Sequence, residues 1–173
     1  MADIKTLHQT LIEEFGKRTI EGTELPAAVT GNLNPAFAVR PYQQRAFQFY
    51  LNYWHEKFDG KPRQNHQLLF HMATGSGKTL MMAGLMLHLY TQGYRNFLFF
   101  VNSTNIINKT RNNFLNSLSG KYLFAQQLSI GDIQRKSRYC SPICHLLKGH
   151  CKPSCFHNTA VRFSRETSRP SSP

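Results

Sequence analysis

The chain has 173 residues, enough for one ordinary domain with a real core but not for two large ones. Its 21 Lys and Arg against 9 Asp and Glu leave a net charge of +12, which favours a polyanionic partner, nucleic acid or nucleotide phosphate, over an acidic protein. The opening Met1-Ala2-Asp3-Ile4-Lys5 lacks the basic and apolar blocks of a signal peptide, and the longest near-apolar stretch, Leu80 to Tyr90, is too short to span a bilayer. The expectation is a soluble cytoplasmic protein with no membrane partner, in which the four cysteines do not form a disulfide framework.

Ile4, Leu7, Leu11, Ile12 and Phe15 fall on one face of a helix that starts near Asp3 and ends at Gly16. Residues 20–39 carry Gly22, Pro26, Gly31 and Pro35 among polar residues and read as a loop with little regular structure. Pro41 suits a first helical position, and Tyr42 to Phe58 continues as a helix with Phe47, Tyr50, Leu51 and Trp54 on its apolar face. The aromatic residues Tyr42, Phe47, Phe49, Tyr50, Tyr53 and Trp54 are read as core packing in preference to base stacking.

Asp59-Gly60-Lys61-Pro62 breaks that helix, and Gln67 to Met72 reads as a short buried strand, with His71 a packed core histidine. A glycine loop follows, then a helix from Leu80 to Tyr90 that is apolar nearly all round and ends at Gly93. Asn96 to Val101 reads as a second buried strand. Ser103 or Thr104 caps a third helix bearing Ile106, Ile107, Phe114, Leu115 and Leu118. Strand, loop, helix, strand, helix is the βαβα order of a parallel α/β sheet.

The loop carries the strongest chemical signal. In Thr74-Gly75-Ser76-Gly77-Lys78-Thr79, backbone N–H groups unobstructed by side chains wrap a phosphate at the N-terminus of a helix. Lys78 then reaches the β and γ phosphates, and the Thr79 hydroxyl sits on Mg²⁺. The strict pattern places Gly six residues before the Lys, where this chain has Met72. Hydrolysis needs more than the loop: a carboxylate on a second strand must hold Mg²⁺ and orient water. Residues 60–131 hold seven bases and no acid, and Asp132 follows Gly131 rather than an apolar strand, so the chain is expected to bind ATP better than it cleaves it.

Three ordered motifs together resemble a known family, the ATP-dependent motors of superfamily two helicases, and within it the Res subunit of type III restriction endonucleases. They are Val39-Arg40-Pro41-Tyr42-Gln43-Gln44, Met72 to Thr79, and Phe99-Phe100-Val101-Asn102-Ser103-Thr104-Asn105-Ile106-Ile107. The family's phosphate loops often begin with a residue other than Gly, which accommodates Met72. The resemblance implies an α/β fold: an incomplete parallel-sheet P-loop, recombinase-like motor domain with N-terminal helices and an irregular C-terminal tail. It implies that Gln43 reads the adenine edge, that the Gly75 to Thr79 loop holds the phosphates of ATP with Mg²⁺, and that Asn102, Ser103 and Thr104, with Lys109 beyond, contact the backbone of double-stranded DNA. A Mod methyltransferase subunit as partner is likewise implied only by the resemblance.

The resemblance covers about residues 35–125. The expected layout is an N-terminal helix and linker (1–34), a partial P-loop ATP-binding domain (35–128) and a basic Cys/Ser/Pro-rich tail (129–173), disordered or out of frame. All four cysteines lie among the last 42 residues, with seven serines and four of the eight prolines, and the shift in composition is what a truncated or frameshifted product would leave. Cys140, Cys144, Cys151 and Cys155, with His145, His150 and His157 between and beside them, hold enough donors for Zn²⁺. Their six-residue central spacing is off pattern, so zinc is the lesser reading. The function expected is the truncated, non-hydrolysing ATP-binding head of a Res-like DNA translocase. The alternative is a small nucleotide- or nucleic-acid-binding module with a zinc-stabilised tail.

Overall fold

The computed structural model describes residues 5–60, 66–94, 97, 99–100, 103–130 and 133–135. Its helices are α1 (Leu7–Phe15), α2 (Lys17–Glu21), α3 (Ala27–Thr30), α4 (Pro41–Trp54), α5 (Lys78–Thr91) and α6 (Thr104–Leu115). A two-stranded antiparallel ladder pairs β1 (Leu128–Ile130) with β2 (Ile133–Arg135). The described residues within 1–25 and 38–81 form one compact unit, and those within 26–37 and 82–173 form another.

In the first unit a capping box opens α1: Thr6 Oγ1 accepts from the Gln9 N–H at 3.3 Å while Gln9 Oε1 accepts from the Thr6 N–H at 2.8 Å. Gly16, at φ +76°, ends it, as expected from the sequence. Leu11, Ile20, Tyr53 and Phe58 then close a core lined by Ile12, Phe15, Phe49, Trp54 and Leu68, uniting α1, α2 and α4.

Residues 20–39 are less irregular than expected, since they hold the end of α2 and all of α3. Acceptors at and just beyond the C-terminal end of α2 are taken by α4: Gln48 Nε2 donates to the Glu21 and Thr23 carbonyl oxygens at 2.7 and 3.1 Å, and Asn52 Nδ2 donates to the Thr23 hydroxyl oxygen at 2.8 Å. Helix α4 stops at Trp54, short of Phe58, because His55 turns to ψ 137° and lets Phe58 fold back into the core.

The stretch expected as the first strand, Gln67 to Met72, has no ladder partner among the described residues and is irregular. Leu68, Phe70 and Met72 are half-buried while Gln67, Leu69 and His71 are exposed, Leu69 by 93%. This two-residue alternation belongs to an extended chain covered on one side, whereas a strand within a parallel sheet is covered on both. His71 is accordingly not a core histidine. Of the expected second strand, Phe97 is buried and Phe100 is 76% exposed, with Asn96, Leu98 and Val101 outside the described residues. No parallel pairing occurs among the described residues.

Helix α5 begins at Lys78, two residues before the expected start, and closes in a Schellman motif. The Tyr94 N–H donates to the Leu89 oxygen and the Gly93 N–H to the Tyr90 oxygen, both at 3.1 Å, with Gly93 at φ +91°. On α6 the expected apolar face is only partly used: Phe114 is buried, but Ile106 and Ile107 are exposed, and Leu118 lies exposed beyond the helix.

The second unit is sewn together by two asparagines. The Asn34 N–H donates to the Leu123 oxygen at 2.9 Å, Asn34 Nδ2 to the Tyr122 oxygen at 2.6 Å, and the Ala125 N–H to the Asn32 oxygen at 2.9 Å. Leu33 forms an antiparallel bridge with Phe124, whose ring packs on Phe114 and Tyr122. The Asn32 side chain, 1% exposed, reaches β1: Oδ1 accepts from the Ser129 N–H at 2.6 Å and Nδ2 donates to the Ser129 oxygen at 3.0 Å. A residue in an antiparallel strand points its N–H and C=O to the same side, so Asn32 fills the edge of β1 that faces away from β2. Residues 129–130 and 133–135, expected in an irregular tail, therefore belong to paired strands tied to Asn32. The rest of that tail, with Cys140, Cys144, Cys151 and Cys155, lies outside the described residues.

Candidate nucleotide-binding site

The site lies wholly in the first unit, where the loop from Met72 to Lys78 turns into α5. Gly75 and Gly77 both adopt φ +79°, a region that side chains disfavour, and two such reversals in three residues make the loop a tight turn. The Ser76 N–H and hydroxyl both donate to the Ala73 oxygen, at 3.3 and 2.7 Å. The Gly77 oxygen accepts from the Leu80 and Met81 N–H groups at 2.9 and 3.1 Å, so Gly77 opens the helix and α5 presents its positive end to the loop.

Lys78 bends back over this turn. Its Nζ donates to the Met72 and Ala73 oxygens at 3.1 and 2.8 Å, which holds the ammonium across the mouth of the loop. Those carbonyls offer partial negative charge where phosphate oxygens would offer full charge. Thr79 is half-buried beside it in the first turn of α5, and Thr74 and Gly75 are exposed.

The loop is braced by the first turn of α4. Gln43, 2% exposed, accepts from the Arg40 N–H with Oε1 at 2.9 Å and donates from Nε2 to the Ser76 oxygen at 2.8 Å. Tyr42 Oη donates to the same Ser76 oxygen at 2.9 Å, and Arg40 Nη1 donates to Tyr42 Oη at 3.3 Å. A Cβ on Gly77 would run into Gln43 Nε2. Gln43, Thr74, Gly75, Ser76, Gly77, Lys78 and Thr79 thus lie together around one turn. Tyr42 and Arg40 join the site beyond the residues expected there: Tyr42 reads from sequence as a core aromatic, and its place in the first turn of α4 beside Gln43 is the signal for its other use.

Residues matched to a DNA contact fall in the second unit. Ser103 precedes α6, Thr104 begins it, and both Thr104 and Lys109 are exposed; Asn102 lies outside the described residues. Among the described residues no group of three or more His, Cys, Asp or Glu could hold a metal ion, and no helix is long and apolar enough to cross a membrane.

The family model described as "Type III restriction enzyme, res subunit" matches residues 36–158, most of the chain. The chain belongs to this Res subunit family. The family is a helicase-type P-loop domain, which is consistent with an α/β fold. The matched span runs past residue 125, the expected limit of the resemblance, and takes in the cysteine-rich segment. A relative from Haemophilus influenzae, "Probable type III restriction-modification enzyme HindVIP Res subunit", is 41% identical over 143 residues. That comparison covers 76% of this chain, which spans 27% of the relative's length. No solved structure matches.

Proposed function

We propose that this chain binds ATP with Mg²⁺ as the nucleotide-binding head of a Res-type DNA translocase, and that it turns ATP over poorly or not at all. The observation that carries this is the Lys78 ammonium held across the double-glycine turn at the start of α5. An arriving polyphosphate offers the Lys78 ammonium full negative charge in place of the carbonyl dipoles of Met72 and Ala73, and so draws the side chain from its resting partners. The backbone N–H groups of the loop and the positive end of α5 hold the phosphates, with the Thr79 hydroxyl toward Mg²⁺. Bound Mg²⁺ would neutralise phosphate charge. Both Gln43 amide atoms already bond the backbone, so an adenine contact requires one of them to change partner.

The finer features follow from the same reading. Residues 67–72, which lead into the glycine loop, are the proposed first strand of a parallel sheet, with 35–128 as the nucleotide-binding part. Double-stranded DNA is the proposed partner at the exposed start of α6, where Thr104 and Lys109 sit in a stretch of sequence without an acid. A Mod methyltransferase is the proposed partner subunit. The lack of Asp or Glu from residue 60 to 131 supports binding without efficient hydrolysis.

The test is equilibrium dialysis of the full chain against labelled ATP with Mg²⁺, with phosphate release followed with and without double-stranded DNA. Stoichiometric ATP and release at background are expected. No retained ATP contradicts the nucleotide reading, and DNA-stimulated release contradicts the limit on turnover.

A further inference from the structure

We infer that Tyr42, backed by Arg40, is a positioning residue for phosphate: it holds the Ser76–Gly77 peptide so that the Gly77 N–H faces the bound anion. The inference rests on the nucleotide-binding reading above and assigns Tyr42 a part in it separate from the base.

The Ser76 carbonyl accepts two hydrogen bonds from the first turn of α4, one from Tyr42 Oη at 2.9 Å and one from Gln43 Nε2 at 2.8 Å. A carbonyl has two lone pairs, so both are engaged. In a planar trans peptide the C=O and the following N–H point in opposite directions. Pinning the Ser76 oxygen toward α4 therefore aims the Gly77 N–H away from α4. Gly77, at φ +79°, has no side-chain bulk to resist this setting. One donor would leave the peptide plane free to rock about a single bond; two donors from adjacent residues fix it.

Arg40 strengthens the arrangement. Its guanidinium Nη1 donates to Tyr42 Oη at 3.3 Å, and a hydroxyl that accepts from a cation becomes a better donor through its own O–H. The order is Arg40 to Tyr42 to the Ser76 oxygen, and Arg40 acts on the loop only through the phenol. Tyr42 is 45% exposed and absent from the core cluster around Tyr53, so its hydroxyl contributes little to the fold.

The test uses the full chain, with competition binding of ATP, GTP and inorganic tripolyphosphate to the wild type, Tyr42→Phe, Arg40→Gln and the double variant. Tyr42→Phe keeps the ring, and so any stacking, and removes only the hydroxyl. Loss of one neutral hydrogen bond predicts weaker binding by roughly three- to tenfold, the same factor for all three ligands, with an unchanged melting temperature. Arg40→Gln weakens binding in the same direction and adds nothing once Tyr42 is Phe. Wild-type affinity in Tyr42→Phe overturns the inference, as does a loss confined to ATP and GTP, or additive effects of the two substitutions. If Tyr42→Phe melts markedly earlier, its hydroxyl supports the fold and the positioning role is likewise overturned. Failure of the wild type to bind any of the three ligands overturns the nucleotide reading itself, and the positioning role with it.

Discussion

Gly77→Ala is expected to destabilise the chain by about 3 kcal/mol and to weaken ATP binding on the order of a hundredfold, whereas Gly75→Ala costs about half that stability. Both glycines adopt φ +79°, so both substitutions carry the same backbone penalty, roughly 1–2 kcal/mol for an L-residue in the left-handed region. They differ in what surrounds them. A Cβ at Gly75 meets nothing within 4 Å, while one at Gly77 strikes Gln43 Nε2 and must push it off the Ser76 carbonyl. Gln43 is buried, so its displaced amide loses a partner where water is scarce, at a further cost of roughly 1–3 kcal/mol. Paired thermal melts and ATP titrations of the two variants check this. Equal losses at the two positions would show that Gln43 does not brace the loop.

Asn32→Leu is expected to cost about 4 kcal/mol, a large share of the 5–15 kcal/mol that holds an ordinary domain together. The side chain is almost fully buried and satisfies both backbone groups of Ser129 as well as the Ala28 oxygen, at 2.9 Å. Leucine fits a comparable volume but leaves those groups unpaired, each at roughly 1–3 kcal/mol. Asn34→Ala is the contrast. That residue is half-buried: Nδ2 donates to the Tyr122 oxygen, and Oδ1 accepts from the Ala36 N–H at an exposed turn where water can replace it, so a loss of about 1 kcal/mol is expected. Urea melts resolve the two. An Asn32→Leu chain as stable as the wild type would mean that β1 and β2 do not belong to the folded unit.

The helices and the loop were legible because their signals are local. Gly16 and Gly93 end helices where left-handed backbone is needed, and Pro41 opens α4 where its missing N–H does no harm. The sequence Gly75-Ser76-Gly77-Lys78-Thr79 carries its own geometry. What escaped was decided at long range. Asn32 and Ser129 are 97 residues apart, and nothing near either announces the contact that fixes β1. The apolar run Gln67 to Met72 reads as a strand from composition, yet a strand exists only through its neighbours, and none pairs with it among the described residues. Tyr42 escaped for the opposite reason: an aromatic residue on a helix with a buried face is ordinarily core, and only the carbonyl of Ser76, 34 residues away, gives it another use.

The central claim is that Lys78 and the double-glycine turn form a nucleotide site, and the most direct measurement is the melting temperature of the full chain against Mg²⁺-ATP concentration, for the wild type and Lys78→Ala. A ligand that binds only the folded state stabilises it by about 2.7 kcal/mol at a hundredfold excess over its dissociation constant. The wild type should therefore melt progressively later as Mg²⁺-ATP rises, while Lys78→Ala, which starts near the same temperature because its ammonium is exposed, should hardly move. A wild type that ATP does not stabilise, or a Lys78→Ala chain stabilised equally, would contradict the assignment.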